Sequence, residues 1–483
     1  MPRAPKTDRL EDFHTRTFEK SALVPPFRAI NPRRVEAALL NALLEVEPPE
    51  NEPKRVLDMT LRNVAGDAAT LAEVKGVLES VWFRPNRGTM GRSGQELLIT
   101  HISMGRYFRP THHYAVGKWV PAILHHGGVT TSPEHAAALK RVFESAQQRR
   151  RNLIEDCICG ALTESMIGSA PQETPPAVAM PQLVHSVGRL VRNLLQQAPT
   201  KGLEQVEAER IALDILSLLR TAIYILWIQF HVNAYDALNA LRDGREPPTR
   251  SRKFKFGFET ERRAPRSRAF WSTRDAIELP FEEGDYAMMA LSQAHTLFAF
   301  ERPTWFNHLP ERDLTSDEST AVKNWSQDYC KAANALDPVR LPTPWMPPPP
   351  TTVRTAVVAM FDTMVRNHKV LRPTPNTRSQ YNVTVGAIGN MAQVDDGVLF
   401  SQLGPGRGMG IHAMVDTQLI LLLSRAVMGE NKRAHFLRVI SELEEWGVTF
   451  DDDSQDEIIR ELERRGHLQK LSDSGESIYV RVD

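Results

Sequence analysis

The stretch that decides the fold at the carboxyl end is DDDSQDEIIRELERRGHLQKLSDSGESIYVRV, residues 451–482. Ser454 and Glu457 have the spacing of a capping box, and a helical apolar stripe follows them as far as Gly466, which ends the helix. Two short alternating runs then flank a Ser-Asp-Ser-Gly-Glu turn, which indicates a β-hairpin. A further helix precedes this stretch and ends at Gly447. Helix, helix and hairpin in this order predict a winged helix over residues 416–483.

The charge of this module argues against DNA as its ligand. Residues 441–483 include thirteen acidic and five basic side chains, and the acidic ones cluster where a recognition helix would begin. Because such a cluster repels a phosphate backbone, we expect the module to bind protein. The predicted partner-binding residues are Asp451, Asp452, Asp453, Asp456, Glu457 and Arg460. The alternative is a small DNA contact by the basic side chains Arg460, Arg464, Arg465, Lys470 and Arg481.

The remaining sequence is mostly helical in its apolar pattern and is divided by prolines. A chain of 483 residues is too long for one core. Prolines cluster at 167–181 and 340–350, which predicts a linker and a stiff spacer. We therefore expect a mainly α, multidomain fold with a small β element in the middle. Five domains are predicted: a helical N-terminal domain (1–166), a long central helix region (182–246), a basic and aromatic mixed segment with helices (247–339), a helix plus short strands (351–415) and the winged helix (416–483).

The segment REPPTRSRKFKFGFETERRAPRSRAFW, residues 245–271, combines basic and aromatic side chains. Phe254, Phe256 and Phe258 alternate with Lys253 and Lys255, which is typical of a strand with one buried and one exposed face. Basic side chains bind phosphates, and accessible aromatic rings stack on bases. The predicted DNA-binding residues are Arg250, Arg252, Lys253, Lys255, Arg262, Arg263, Arg266 and Arg268.

No motif indicates catalysis. The P-loop pattern G-x-x-x-x-G-K-[ST] is absent, and LGPGRGMG at 403–410 is more typical of a connector than of a phosphate loop. The histidine pairs at 112–113 and 125–126 have no acidic or cysteine partner at ligand spacing, and Cys157, Cys159 and Cys330 do not form a zinc set. We expect no catalytic residue, no metal and no cofactor.

The composition of the chain indicates the cellular compartment in which the protein is expected. Three sparse cysteines are typical of a reducing interior, and the balance of 59 basic and 59 acidic residues gives no overall preference for nucleic acid. The most apolar run, TAIYILWIQFHV at 221–232, is shorter than the ~20 residues that a bilayer requires. We expect a buried helix in a cytoplasmic protein, with no membrane partner.

The sequence WGVTFDDDSQDEIIRELERRGHLQKLSDSGESIYVRV, residues 446–482, resembles the end of the DptG family, a component of DNA-phosphorothioation-dependent restriction systems. The preceding LGPGRGMGIHAMVDTQLILLLSRAV also fits and, more weakly, so does FGFETERRAPRSRAFW. The resemblance covers the chain from 404 onward well and residues 1–240 hardly at all. The matching positions are Gly447, Phe450, Asp451, Ser454, Ser472, Asp473, Ser474, Gly475, Tyr479 and Val480, with Glu261, Ser267 and Arg268 in the weaker segment.

This resemblance implies a bacterial antiviral restriction component that acts beside a motor ATPase and other restriction subunits, against DNA without the protective sulfur modification. A subunit without a nucleotide motif would supply contacts, to protein partners and possible DNA, rather than catalysis. Two other classes stay open. A helical structural protein of the virion type would also be divided by prolines and free of catalytic motifs, and a divergent nuclease is the enzyme alternative.

Overall fold

The computed structural model describes residues 43, 53–62, 66–81, 83–86, 94–97, 116–147, 181–199, 202–248, 252–258, 260, 265–271, 279–298, 309–371, 400–403, 412–428, 433–470 and 478–482. Thirteen helices and ten short strands lie in this described part. The prediction of a mainly helical protein with few small strands is confirmed.

The first half of the described chain is built from helices and one hairpin. The elements are α1 (Pro53–Arg62), α2 (Ala68–Val81), β1 (Phe83–Asn86), β2 (Gly94–Leu97), α3 (Val116–His126), α4 (Pro133–Gln147), α5 (Pro181–Gln196) and α6 (Gln205–Arg242). β1 and β2 pair antiparallel. The predicted helix after Asn31 lies outside the described residues, whereas the predicted helix at Pro133 is α4.

The second half mixes helices with very short strands. It contains β3 (Phe254–Lys255), β4 (Gly257–Phe258), α7 (Pro265–Trp271), α8 (Leu279–Leu297), α9 (Ser316–Leu336), α10 (Val353–Leu371), β5 (Phe400–Leu403), β6 (His412–Val415), α11 (Thr417–Met428), β7 (Arg433–His435), α12 (Phe436–Glu445), β8 (Val448–Thr449), α13 (Asp452–Arg464), β9 (Leu468–Lys470) and β10 (Ile478–Arg481). Three sheets connect these strands, in the orders β4-β6-β5, β3-β8 and β7-β10-β9.

Helix α6 is the centre of the molecule, and α4, α5, α8 and α10 pack along it. It is the one helix of the described part that is long and apolar enough to cross a membrane, but 83% of its most apolar stretch is buried inside the protein. A helix that is apolar all round needs such cover. Its buried polar side chains are hydrogen bonded, since Asn233 Nδ2 donates to Gln229 Oε1 at 2.8 Å. The prediction of a buried helix here is confirmed.

The proline-rich segment at 340–350 is extended and packs between α9 and α10. Asn334 Nδ2 donates to the carbonyl of Leu341 at 2.7 Å, and Trp345 N donates to Asn367 Oδ1 at 2.7 Å. The guanidinium of Arg366 lies 4.3 Å from the centre of the Trp345 ring. The predicted spacer is therefore held against the two helices that it connects.

Most of the described elements from α3 onward share one hydrophobic core. A continuous cluster of buried apolar side chains runs from Trp119 to Val480 and includes residues from each of the five predicted domain ranges. The domain boundaries stay predictions. The close helix crossings need glycine: a Cβ at Gly188 of α5 would lie 2.1 Å from Gly127 Cα, in the turn after α3, and a Cβ at Gly284 of α8 would lie 2.7 Å from the carbonyl of His231.

Candidate partner and nucleic-acid interface

The basic segment is joined to the carboxyl-terminal elements by a short parallel ladder. Strand β3 pairs with β8 in the register Phe254↔Val448 and Lys255↔Thr449. Phe254 N donates to the Gly447 carbonyl at 2.7 Å, and the Gln229 amide of α6 donates to the carbonyls of Arg252 and Trp446 at 2.9 and 3.3 Å. The two predicted functional regions therefore belong to one structural unit, which their separation in sequence did not reveal.

Side chains of β3 and β4 alternate as the sequence predicted. Lys253 and Lys255 are exposed, whereas Phe254, Phe256 and Phe258 are buried. The idea that these aromatic rings stack on bases is wrong, because the rings fill the core: Phe254 stacks on Trp271 with ring centres 5.9 Å apart. Trp271 is itself buried and donates through Nε1 to the Lys255 carbonyl at 2.7 Å. Only the lysines face solvent.

The predicted DNA-binding arginines are in different environments. Arg252 is half-buried and makes a two-pronged contact with Asp236, with Nε 3.0 Å from Oδ2. Desolvation raises the pKa of Asp236, and the arginine partly offsets this effect. Arg266 is 57% exposed, and its Nε lies 3.8 Å from Asp451 Oδ2. Arg268 lies in α7, and its side chain is not described; Arg250, Arg262 and Arg263 lie outside the described residues.

The start of α13 differs in detail from its prediction. Asp451, with extended backbone (φ −84°, ψ 172°), is the N-cap and accepts from Ser454 N at 2.9 Å. The predicted capping box of Ser454 and Glu457 is wrong, because the helix begins at Asp452 and Ser454 lies within its first turn. Glu457 instead accepts from Thr260 Oγ1 at 2.7 Å and pairs with Arg460 Nη1 at 2.9 Å. Two of the predicted partner-binding carboxylates, Asp451 and Glu457, therefore contact the basic segment.

The other predicted partner-binding side chains face solvent. Asp452, Asp453 and Asp456 are exposed, and the side chain of Arg460 is 68% exposed. Carboxylates in the first turn also stabilise the helix through its dipole. The carboxylates of the first turn therefore stabilise α13 and are at the same time accessible to a ligand.

Beside these carboxylates lies a cavity of about 180 Å³ that sequence reasoning missed. Leu437 of α12 borders it and is 59% exposed, although it is a large apolar side chain. The cavity can take an apolar side chain while the adjacent carboxylates meet a positive charge. Its lining includes His435, Leu437, Asp452, Asp456, Ile459 and Ile478.

A second, larger pocket lies between α5 and α12 and encloses about 550 Å³. Polar residues on one face of α5 line it, together with Glu445 of α12. Their helical spacing is visible in the sequence, but the same spacing is typical of an ordinary solvent-facing stripe. The lining residues are Gln182, His185, Ser186, Arg189, Arg192 and Glu445.

One buried carboxylate closes the floor of this region. Glu442 Oε2 accepts from Ser186 Oγ at 2.9 Å and from Arg189 Nη2 at 2.6 Å. Ser186 Oγ in turn accepts from Trp446 Nε1 at 2.9 Å. Desolvation raises the pKa of Glu442, while the hydrogen bond from Ser186 and the charge of Arg189 act in the opposite direction. The network ties α5 to the turn between α12 and β8.

The other candidates from the sequence give no site within the described residues. No group of three or more His, Cys, Asp and Glu side chains there can hold a metal ion. His125 and His126 make an edge-to-face ring contact with centres 5.2 Å apart, and Cys330 is a buried free thiol. The pair at 112–113, both cysteines at 157 and 159, and the glycine-rich 404–411 lie outside the described residues.

No protein-family model and no curated protein matches this chain.

Proposed function

We propose that the protein is a non-catalytic adaptor of a bacterial antiviral restriction complex of the phosphorothioation-dependent kind. It docks protein partners, a motor ATPase among them, through its acidic terminal module and contacts DNA through the lysines of β3. The observation that most supports this proposal is the parallel pairing of β3 with β8. That pairing holds exposed lysines and exposed carboxylates on one unit, so one subunit can bind two ligands of opposite charge.

The terminal module is proposed to be a winged helix. In support, its elements follow the order helix, strand, helix, strand, helix, strand, strand from α11 to β10, and the strand between the last two helices, β8, pairs outside the module with β3. The three strands form an antiparallel sheet in the order β7-β10-β9, with Tyr479 opposite both His435 and Gln469. Gly447 and Gly466 end α12 and α13 with φ of +85° and +77°.

The protein partner is proposed to bind at the cavity beside α13. Exposed Leu437 offers apolar contact area, and Asp452 and Asp456 add negative charge at its edge. An interface of this kind suits a partner segment with an apolar anchor next to lysine or arginine. The same carboxylates repel a nucleic-acid backbone, which is why the DNA contact is assigned to β3 instead.

The biological setting of the proposal comes from the resemblance of residues 446–482 to the DptG family. A cytoplasmic location is proposed with it, and the burial of α6 within the protein agrees with a chain that does not use this helix to span a membrane. The proposal assigns the protein no catalytic residue, cofactor or metal.

A salt titration of DNA binding by the full-length protein tests the proposed contact. We expect Lys253→Ala/Lys255→Ala to bind a DNA duplex more weakly. It should also reduce the slope of log affinity against log salt by about 2, since each lost phosphate contact contributes about 0.9. Fluorescence anisotropy of a labelled duplex at several salt concentrations gives the slope.

A charge-matched variant controls for the general effect of removing two lysines. Lys75→Ala/Lys140→Ala removes two exposed lysines that each pair with a glutamate four residues away on α2 and α4. This variant should keep the wild-type slope. If the Lys253→Ala/Lys255→Ala variant also keeps the wild-type slope, Lys253 and Lys255 do not contact DNA, and the proposed DNA contact is rejected.

A further inference from the structure

The pocket between α5 and α12 has no role in the proposed function, yet its lining is suited to a ligand. Gln182, His185, Arg189 and Arg192 project from one face of α5 toward a space of about 550 Å³. This volume is within the range of small-molecule sites, roughly 300–1,000 Å³.

Arg192 is the side chain that most needs a partner. Its Nε is buried and has no hydrogen-bond partner, and none of the ion pairs formed by the described residues involves it. The guanidinium lies over the turn between α3 and α4, where a Cβ at Gly128 would be 3.4 Å from Nη1. Arg192 also lines the pocket, so the guanidinium nitrogens that are not buried can donate to an acceptor placed there.

Arg189 provides a second positive charge, and carboxylates of the described residues contact its guanidinium at one nitrogen only. Glu442 accepts from its Nη2 at 2.6 Å, and Glu445 lies 3.3 Å from the same nitrogen. Both carboxylates thus meet one nitrogen of a guanidinium that carries five N–H donors. Glu442 is buried beneath the pocket, whereas Glu445 is 47% exposed at its edge and is the one acidic side chain among the lining residues that the structure describes.

From these contacts we propose that the pocket binds the phosphate group of a small phosphate ester, with Arg192 as the main ligand and Arg189 as the second. Guanidinium donors match phosphate oxygens in geometry, and such charged hydrogen bonds are stronger than neutral ones. Gln182 and His185 remain to contact the rest of the ligand. Ser186 takes no part, because its hydroxyl already donates to Glu442 and accepts from Trp446.

Calorimetry of the full-length protein with adenosine monophosphate, inorganic phosphate and adenosine tests this site. The two phosphate-bearing probes should bind and adenosine should not. Arg192→Gln should weaken binding about tenfold or more, since it removes a charged, two-pronged contact. Arg192→Lys keeps the positive charge but not the two-pronged geometry of a guanidinium. Its phosphate affinity should therefore lie between those of the wild type and Arg192→Gln.

A second variant changes affinity in the opposite direction. Glu445→Gln removes the negative charge at the pocket edge and should tighten phosphate binding by about threefold. Lys140→Gln, at an exposed position of α4 that does not line the pocket, should bind like wild type. Should Arg192→Gln fail to fold, the Glu445→Gln result still decides, because unchanged affinity there contradicts a bound phosphate.

The absence of phosphate binding by the wild-type protein would overturn the proposal, as would equal binding by Arg192→Gln. A DNA duplex added to the phosphate-loaded protein identifies the natural source of the group. Coexistence with the duplex supports a small phosphate ester as the ligand, whereas displacement by the duplex would assign the pocket to a nucleic-acid backbone and overturn the proposal.

Discussion

Gly188 shows how little space separates two helices of the N-terminal half. Its missing side chain lets α5 approach the turn after α3, where a Cβ would meet Gly127 Cα at 2.1 Å. We expect Gly188→Ala to lower the free energy of unfolding by about 1–3 kcal/mol, because overpacking outweighs the better helix propensity of alanine. Urea denaturation of the full chain measures the change.

Gly76 is the matched control for this substitution. It is an exposed helical glycine in α2, and nothing lies within 4 Å of the position that its Cβ would take. Gly76→Ala should therefore stabilise the protein by about 0.5–1 kcal/mol. A result with the same sign at both glycines would contradict the close crossing.

At the scale of one element, the charged side chains of α13 are predicted to contribute to the stability of the fold to different degrees. Arg464 donates to both oxygens of Glu461, at 2.6 and 2.7 Å, and Arg465 also donates to it. These hydrogen bonds hold the pKa of Glu461 at about 2, below the usual 4.5. Because the folded pKa is the lower one, ionised Glu461 stabilises the fold above pH 4.5, and that contribution is lost as pH falls toward 2.

Thermal unfolding between pH 7 and pH 2 tests this assignment. Glu461→Gln should be less stable than wild type at pH 7, and the difference should disappear as pH approaches 2. Glu463→Gln, in the same helix, removes a single exposed ion pair with Lys470 and should change stability by less than about 1 kcal/mol. A Glu461→Gln defect that persists at pH 2 would show a packing effect rather than a charge effect.

The long helices were predictable from the sequence, whereas the pairing of the short strands across the chain was not. Helix α6 and helix α10 have many apolar positions, so their existence and buried faces follow from periodicity. The alternation at 253–258 predicted a strand there, but no signal marked β8 or its pairing with β3, which Gln229 of α6 accompanies by donating to the Arg252 and Trp446 carbonyls. The cap of α13 was misplaced because Asp451, Asp452, Asp453 and Ser454 are all good N-cap residues, and only the backbone geometry distinguishes them.

The candidate sites show the same limit. Alternation predicted that Lys253 and Lys255 are exposed, which is confirmed. It could not predict that Arg252 is bound to Asp236, nor that Arg192 lies over a glycine turn beside a pocket. The first contact joins residues 16 positions apart, one on α6 and one just before β3, and the second joins α5 to the turn before α4, so local patterns hold no information on them.

At the scale of the whole molecule, the terminal elements depend on the helices that precede them. Leu419, Ile420 and Leu423 of α11 are buried against the shared core. Arg425 makes a two-pronged ion pair with Asp214 of α6, with both distances below 2.9 Å. Asn193 of α5 donates to the Ala426 carbonyl at 2.9 Å.

We therefore expect a fragment of residues 412–483 to fold poorly when it is produced alone. Removal of α5 and α6 exposes the apolar side chains of α11 and leaves Arg425 without its carboxylate. Near-ultraviolet circular dichroism and binding of a hydrophobic dye should report a loss of fixed packing. A monomeric fragment with a cooperative thermal transition would contradict this dependence.

The parallel contact between β3 and β8 also sets an order of events during translation. Thr449 Oγ1 donates to the Phe254 carbonyl at 3.0 Å across a separation of 195 residues. At about 5–20 residues per second, a ribosome needs roughly 10–40 s to deliver the second strand after the first. For that interval the nascent basic strand lacks the backbone partner that β8 supplies, and of its neighbours only nearby residues such as Trp271, which stacks on Phe254, are already made.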